Sequence, residues 1–183
     1  MESKNRQIPV FLKERMMRKI MEDKECAELI IHTFLNRHEL KLIPNTFDSS
    51  KNFFAIDKEN RLCRIMLQFA DSFDASKDFL NPDSNEFKDG DKYKNVLLIF
   101  DKDFPQQDKF GYFFHTKVKE ITDEEVCRET ELYIINIDYE GESLFSHLLN
   151  DLKCDDSDKI RNHTLQRRIK EILAEQDSKE EHE

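Results

Sequence analysis

The stretch NFFAIDKENRLCRIMLQ, which begins at residue 52, constrains the fold more than any other part of this 183-residue chain. Apolar residues alternate with other residues on both sides of a polar break at residues 58–60. Such alternation is typical of strands, whose successive side chains point to opposite faces. Residues 52–69 are therefore predicted to form an antiparallel hairpin that turns at the polar break. On this prediction the core face carries Cys63, Ile65 and Leu67, and Arg64 is more exposed.

The apolar pattern elsewhere predicts helices at both ends of the chain and strands between them. Helical spacing covers residues 10–21 and a second helix with Asp23 as its N-cap, and it returns in two amphipathic helices near residues 144–152 and 160–172. Buried strands are predicted for VLLIF, FGYFFH and ELYIIN, which start at residues 96, 110 and 131. Residues 70–92 are polar and are predicted to form a loop. This order predicts an α/β fold with a mixed central sheet flanked by helices.

Length and charge limit the organisation and the partners of the chain. A hydrophobic content of 38% over 183 residues suits one domain. We predict a single domain over residues 1–176 and an acidic disordered tail over 177–183. The net charge of −10 makes nucleic acid an unlikely ligand at physiological salt, because binding requires Lys and Arg to displace phosphate counterions. The candidate anion-binding residues are Arg15, Arg18 and Lys19, although a solvated helix face is the simpler interpretation.

Cysteine usage and hydropathy favour an intracellular protein. The four cysteines are far apart, form no Cys-x-x-Cys pair and show no metal-ligand spacing with the six histidines. Free thiols are the expected state in a reducing cytoplasm. No apolar run reaches transmembrane length, and no signal-peptide pattern opens the sequence. We therefore expect a cytoplasmic protein that has no membrane partner.

Several segments resemble, in order and spacing, the PD-(D/E)XK nuclease-like proteins of the recombination-promoting nuclease and transposase-like group. The hairpin at residue 52 resembles the family hairpin, which carries Asp, four residues, a second Asp, a turn with Gly and then Glu-x-Gln. Further similar segments are KERMMRKIMEDKECAELIIHTFLNRHELKLI, FKDGDKYKNVLLIFDKD, ELYIIN and SHLLNDLKCDDSDKI. The resemblance extends over residues 8–175 and implies a restriction-endonuclease-like core.

The resemblance also implies four active-site positions, and two of them lack the residue that the family chemistry needs. Asn52 stands at the first Asp position and Met66 at the Glu position, whereas Gln68 matches the closing Gln and Glu14 an acidic position of the N-terminal helix. Mg²⁺ prefers anionic oxygen ligands, and a thioether is a poor one. The segment FADSFDASKDF, where the family carries basic residues, is acidic or neutral and should repel phosphate. We therefore expect no intact catalytic site, no metal and no cofactor.

These observations favour a catalytically inactive nuclease-fold protein that acts by protein–protein binding. It would serve as a regulator, inhibitor or subunit linked to a mobile element or a defence system. Its partner would be another protein or a second copy of the chain. The two amphipathic C-terminal helices offer a docking face, or simply cover the sheet.

Two alternatives remain open. One is a Mg²⁺-dependent deoxyribonuclease whose carboxylates have migrated to Glu14, Asp48 or Asp57, with Asp71 as a further acid near the hairpin. Two carboxylates within about 5 Å of each other, on the face of Met66 and Gln68, would favour it. The other alternative is nucleic-acid binding without cleavage through the N-terminal basic face.

Overall fold

The computed structural model describes residues 12–43, 52–70, 94–102, 104–106, 108–120 and 126–180, and the helices lie at the two ends of this part of the chain. Helix α1 spans Glu14–Met21, α2 spans Lys24–Leu35, α3 spans Leu144–Lys153 and α4 spans His163–Glu180, and a short 3-10 helix spans Ser157–Lys159. None of these helices is long and apolar enough to cross a bilayer.

Side-chain caps explain where three of the helices begin. The Asp23 carboxylate accepts a hydrogen bond from the Cys26 amide at 2.9 Å, which confirms Asp23 as the N-cap of α2. Ser143 and Ser146 form a capping box at α3, and Asn162 accepts the Leu165 amide in the first turn of α4. The first helix, predicted over residues 10–21, starts later than expected within the described residues, which begin at residue 12. Lys13 is extended, with ψ of 140°, so α1 starts after it.

Six strands form one sheet in the described part of the chain. Strand β1 spans Lys41–Leu42, β2 Asn52–Ile56, β3 Leu62–Ala70, β4 Lys94–Asp101, β5 Gly111–Glu120 and β6 Val126–Asn136. Their order is β1-β2-β3-β4-β6-β5; β3, β4 and β6 are parallel, and the other neighbours are antiparallel. The mixed sheet together with the helices confirms the α/β prediction.

The predicted hairpin is confirmed. Strands β2 and β3 pair antiparallel, and the turn between them places Asn60 at φ 60°, in the left-handed region that Asn tolerates. Three side chains on one face are buried and Arg64 on the other is half-buried; the buried ones are Cys63, Ile65 and Leu67. The three apolar runs predicted as strands belong to β4, β5 and β6. The loop predicted for residues 70–92 lies outside the described residues apart from Ala70, which ends β3.

The chain divides into two compact units, of which one comprises residues 31–141 and the other residues 1–30 and 142–183. The first contains the sheet and the last turn of α2, where Phe34 packs edge-on against Phe100 with ring centroids 5.2 Å apart. The second contains α1, the start of α2 and the two C-terminal helices. The sequence prediction of a single domain over residues 1–176 includes both units, and it stays a prediction.

The apolar stripes of α3 and α4 are buried apart from Leu144 at the start of α3, which is 79% exposed. Their exposed fractions do not exceed 5% at Leu148, Leu149, Leu152, Leu165, Ile169 and Ile172. Helix α4 continues to Glu180, into the segment 177–183 that was predicted as a disordered tail. Its last turns are rich in Ala, Glu, Gln and Lys, which favour helix.

Candidate functional site

The positions that the resemblance assigns to the first Asp and the Glu of the family face each other across the hairpin. Asn52 on β2 is the register partner of Met66 on β3. The Asp57 amide donates to the Arg61 carbonyl at 3.1 Å, so these two residues form a hydrogen-bonded pair. Hydrogen-bonded and non-hydrogen-bonded pairs alternate along an antiparallel ladder. Asn52 and Met66 therefore form a non-hydrogen-bonded pair. Side chains of such pairs approach closely, with Cβ atoms about 5 Å apart. A pair of carboxylates here would share one cation, but the chain supplies an amide and a thioether.

Met66 lies in an apolar cluster, which we name the Met66 cluster. The side chain is 7% exposed and packs with Leu97, Ile99, Phe104, Leu132 and Ile134, and Tyr112 and Phe114 border it. Phe104 follows β4 and stacks on Tyr112 with ring centroids 4.9 Å apart. An ion placed among these side chains would lose its hydration without new ligands to replace it. The cluster therefore packs the sheet and does not solvate a metal.

Arg64 and Asn95 lie on the same face of the sheet as Met66, next to it along the strands. Arg64 precedes Met66 by two residues, so both side chains point to one face about 7 Å apart. The Arg64 Nε donates to the Asn95 Oδ1 at 3.0 Å, and Asn95 is 1% exposed. A guanidinium on the same face, two residues away along the strand, disfavours a divalent cation near Met66. Gln68 lies on the same face on the other side of Met66 and is half-buried.

Asp57, one of the candidate migrated carboxylates, closes the hairpin turn. Its Oδ1 accepts the amides of Glu59 and Arg61 at 2.9 Å each, and its Oδ2 accepts the Arg61 Nε at 2.9 Å. Burial alone would raise the pKa of Asp57, but the hydrogen bonds from the Arg61 amide and side chain outweigh it, and the pKa is lowered. Asp57 lies opposite Arg61. Arg61 precedes Met66 by five residues, which separates the two positions by roughly 16 Å along the strand. Asp57 cannot share a cation with a ligand at Met66.

The other candidate acids are not placed by the structure. Asp48 and Asp71 lie outside the described residues, and Glu14 begins α1 but its side chain is not described. Across residues 12–43, 52–70 and the described segments beyond them, no group of three or more His, Cys, Asp or Glu side chains is placed to hold a metal ion.

The candidate anion-binding residues lie on α1. Arg15 is exposed, and Arg18 and Lys19 are half-buried. The Lys19 carbonyl accepts the Arg168 Nη2 at 2.9 Å, which satisfies the end of α1. Arg168 also pairs with Glu22 at 3.7 Å and with Glu171 at 3.4 Å. The charge of Arg168 is therefore matched by carboxylates and does not enlarge the basic surface of α1.

A buried ionic cluster on the opposite face of the sheet was not predicted. Glu131 on β6 accepts the Lys94 Nζ at 2.6 Å and the Arg37 Nη1 at 2.8 Å, and the three side chains are 11%, 7% and 14% exposed. Burial and the nearby Glu131 charge raise the pKa of Tyr133, whose hydroxyl lies 3.4 Å from the carboxylate. The sequence signal was a charged residue close to the apolar run of two neighbouring strands. Lys94 lies two residues before VLLIF at the start of β4, and Glu131 lies in the middle of β6, directly before LYII.

The Arg37 guanidinium links this cluster to the surface. Its Nε donates to the Glu39 Oε1 at 2.8 Å. Burial would lower the pKa of Arg37, but this hydrogen bond and the charge of Glu131 raise it above its usual value. Two cations, Arg37 and Lys94, meet two carboxylates, Glu131 and Glu39, so the cluster ties the neighbouring strands β4 and β6 to the segment after α2.

The buried cysteines are not activated nucleophiles. Burial raises the pKa of the Cys63 thiol to about 11 and that of Cys26 to about 12. A thiol reacts as its thiolate, which is scarce at neutral pH under these conditions. Cys26, Cys63 and the half-buried Cys154 are all unpaired.

Comparisons with protein-family models, curated proteins and solved structures found no match.

Proposed function

We propose that this protein is a catalytically inactive relative of the PD-(D/E)XK nucleases that acts by binding other protein chains. The observation that carries the proposal is the pair Asn52 and Met66. The two family ligand positions oppose each other in register, and they hold an amide and a buried thioether. A metal that activates water for phosphodiester hydrolysis needs anionic ligands at these positions.

Charge supports a protein partner over nucleic acid. The chain carries −10, so the three basic residues Arg15, Arg18 and Lys19 of α1 are set in a strongly acidic molecule. Counterion release from DNA is therefore small, and affinity near physiological salt is low. A regulator, inhibitor or subunit linked to a mobile element or a defence system is the role proposed. The free cysteines favour a reducing cytoplasm as its compartment.

The alternative is a Mg²⁺-dependent deoxyribonuclease with migrated carboxylates. Asp57 does not favour it, because its carboxylate is held by the turn. The remaining candidates are Glu14 and Asp48.

The test is a cleavage assay with DNA and RNA in Mg²⁺ or Mn²⁺. We expect no product above background, because the Asn52 and Met66 side chains supply no anionic ligand. Cleavage that is lost with chelator and with Glu14→Ala or Asp48→Ala would contradict the proposal and establish the migrated site.

A restored site tests the family positions themselves. Asn52→Asp with Met66→Glu places two carboxylates on one register pair, so Mn²⁺ should raise the melting temperature of this variant. The matched controls are the single variants Asn52→Asp and Met66→Glu, which each supply one carboxylate and keep Arg64. Circular dichroism without metal establishes that each variant is folded. An equal Mn²⁺ response in the double and the single variants would contradict the assignment of Asn52 and Met66 to the family ligand positions.

A further inference from the structure

Strand β5 forms one edge of the sheet in the described part of the chain. It is ten residues long and pairs with β6, whereas the opposite edge is the two-residue strand β1. A long edge strand presents a row of backbone N–H and C=O groups that can pair with another strand. The sheet therefore has one edge that is long enough to be extended.

The hydrogen-bonding phase of β5 identifies the backbone groups that point toward this edge. The Asn136 amide donates to the Phe110 carbonyl at 2.9 Å. Because antiparallel ladders alternate, even-numbered residues such as Tyr112 and Phe114 bond to β6. The backbone groups of Phe113 and Lys117 then point away from β6.

The first half of β5 lacks the features that protect edge strands. Native proteins protect edges with short strands, Pro, bulges or charged residues. Residues 111–115 contain no Pro and no Asp, Glu, Lys or Arg. The Phe113 side chain is 55% exposed and contacts the Tyr133 ring, with centroids 4.8 Å apart. An aromatic group at an accessible backbone edge is typical of strands that add a partner strand.

We propose that β5 pairs antiparallel with β5 of a second copy of this chain. The inference rests on the proposed protein-binding function and names the partner. The two halves of β5 complement each other in sequence. A two-fold axis at residue 115 sets Phe113 opposite Lys117 and Tyr112 opposite Val118. Cation–aromatic and aromatic–β-branched pairs are favourable neighbours across strands.

Charge and closure also favour a second copy. Strand β5 contains Lys117 and Lys119 against Glu120, so it lacks the acidic excess of a chain that carries −10. Two copies meeting here repel less than they would elsewhere. The contact uses the same strand of both copies and so closes at a dimer.

Sedimentation equilibrium of the full chain over a wide concentration range tests the proposal. We expect a dimer whose dissociation constant rises at least tenfold with Phe113→Asp or Lys117→Pro. Proline at position 117 removes an edge-facing N–H and spares the ladder to β6. The matched control is Leu144→Asp, which alters an exposed apolar side chain of α3 that is 79% exposed. This variant should dimerise as the unmodified chain does.

Hydrogen exchange gives a second measurement that needs no substitution. Protection of the Phe113 and Lys117 amides should increase with protein concentration, whereas protection of Tyr112 and Phe114 should not change. A chain that stays monomeric, or a dimer that is insensitive to both β5 variants, would overturn the proposal. Neither result concerns catalysis. Failure of β5 pairing therefore leaves the inactive-nuclease proposal unchanged, and only metal-dependent cleavage would overturn that proposal.

Discussion

Replacing Glu131 by Gln removes the one carboxylate between Lys94 and Arg37 and should strongly destabilise the sheet. The side chain is 11% exposed and lies within 2.8 Å of both cations. Removing one partner of a buried ion pair costs about 3–5 kcal/mol, because the remaining charge stays desolvated. Arg37 keeps Glu39 as a partner, and the Gln oxygen still accepts one hydrogen bond. We therefore expect the lower part of that range, about 3 kcal/mol.

Urea unfolding followed by circular dichroism measures this loss, since the chain has no Trp to report by fluorescence. A loss of about 3 kcal/mol corresponds to a fall in melting temperature of roughly 6–12 °C for a chain of this size. The matched control is Glu39→Gln, which removes the other carboxylate on Arg37. Glu39 is 37% exposed, so its loss should cost about 1 kcal/mol or less.

A double substitution separates the ion pair from general disruption. Lys94→Met removes the second charge, so its combination with Glu131→Gln should cost less than the sum of the two single changes, by about 0.5–3 kcal/mol. Equal losses for Glu131→Gln and Glu39→Gln, together with additive effects of Lys94→Met, would refute the description of the cluster as buried and coupled.

Two further predictions concern the turn and the start of β5. Asp57→Asn should remove an acid-sensitive part of the free energy of unfolding. The pKa of Asp57 in the folded protein lies below the unfolded value of about 3.9. The stabilisation by the Asp57 carboxylate is therefore fully present above the unfolded pKa and is lost as the pH falls through the folded pKa. Unfolding curves of the two proteins should therefore converge in acid, and a constant difference at all pH values would contradict this. Gly111→Ala should destabilise by about 1–3 kcal/mol, because the added Cβ meets the Ile134 carbonyl oxygen of β6. Gly141→Ala is the control, because there the Cβ meets the ring of Tyr139, which can turn away; equal melting temperatures for the two variants would refute the backbone clash.

The hairpin and the central strands could be predicted because their signals are local. Alternation over residues 52–69 and a polar turn determine which side chains of β3 share a face. The same reasoning placed Met66 with Arg64 and Gln68, away from the core. Met66 is nevertheless buried, because β3 lies between β2 and β4 and the Met66 cluster covers its second face.

The ionic cluster could not be predicted from local patterns. Lys94 and Glu131 belong to parallel strands that are separated by β5 and its connections. Their approach depends on the strand order β4-β6, which places Val96 opposite Glu131. No periodicity in the sequence encodes that neighbour relation, although a charge beside an apolar run is a weak signal for a buried partner.

Catalysis and packing make opposite demands on position 66. A metal ligand must be anionic and reachable by water, whereas a core side chain must be apolar and dry. With Met at 7% exposure, this position contributes about 1.5–3 kcal/mol of apolar burial, which a carboxylate would forfeit. A carboxylate at this position would therefore weaken the sheet that has to present it. Under the proposed function the binding surface is instead the edge of β5, where Phe113 is 55% exposed.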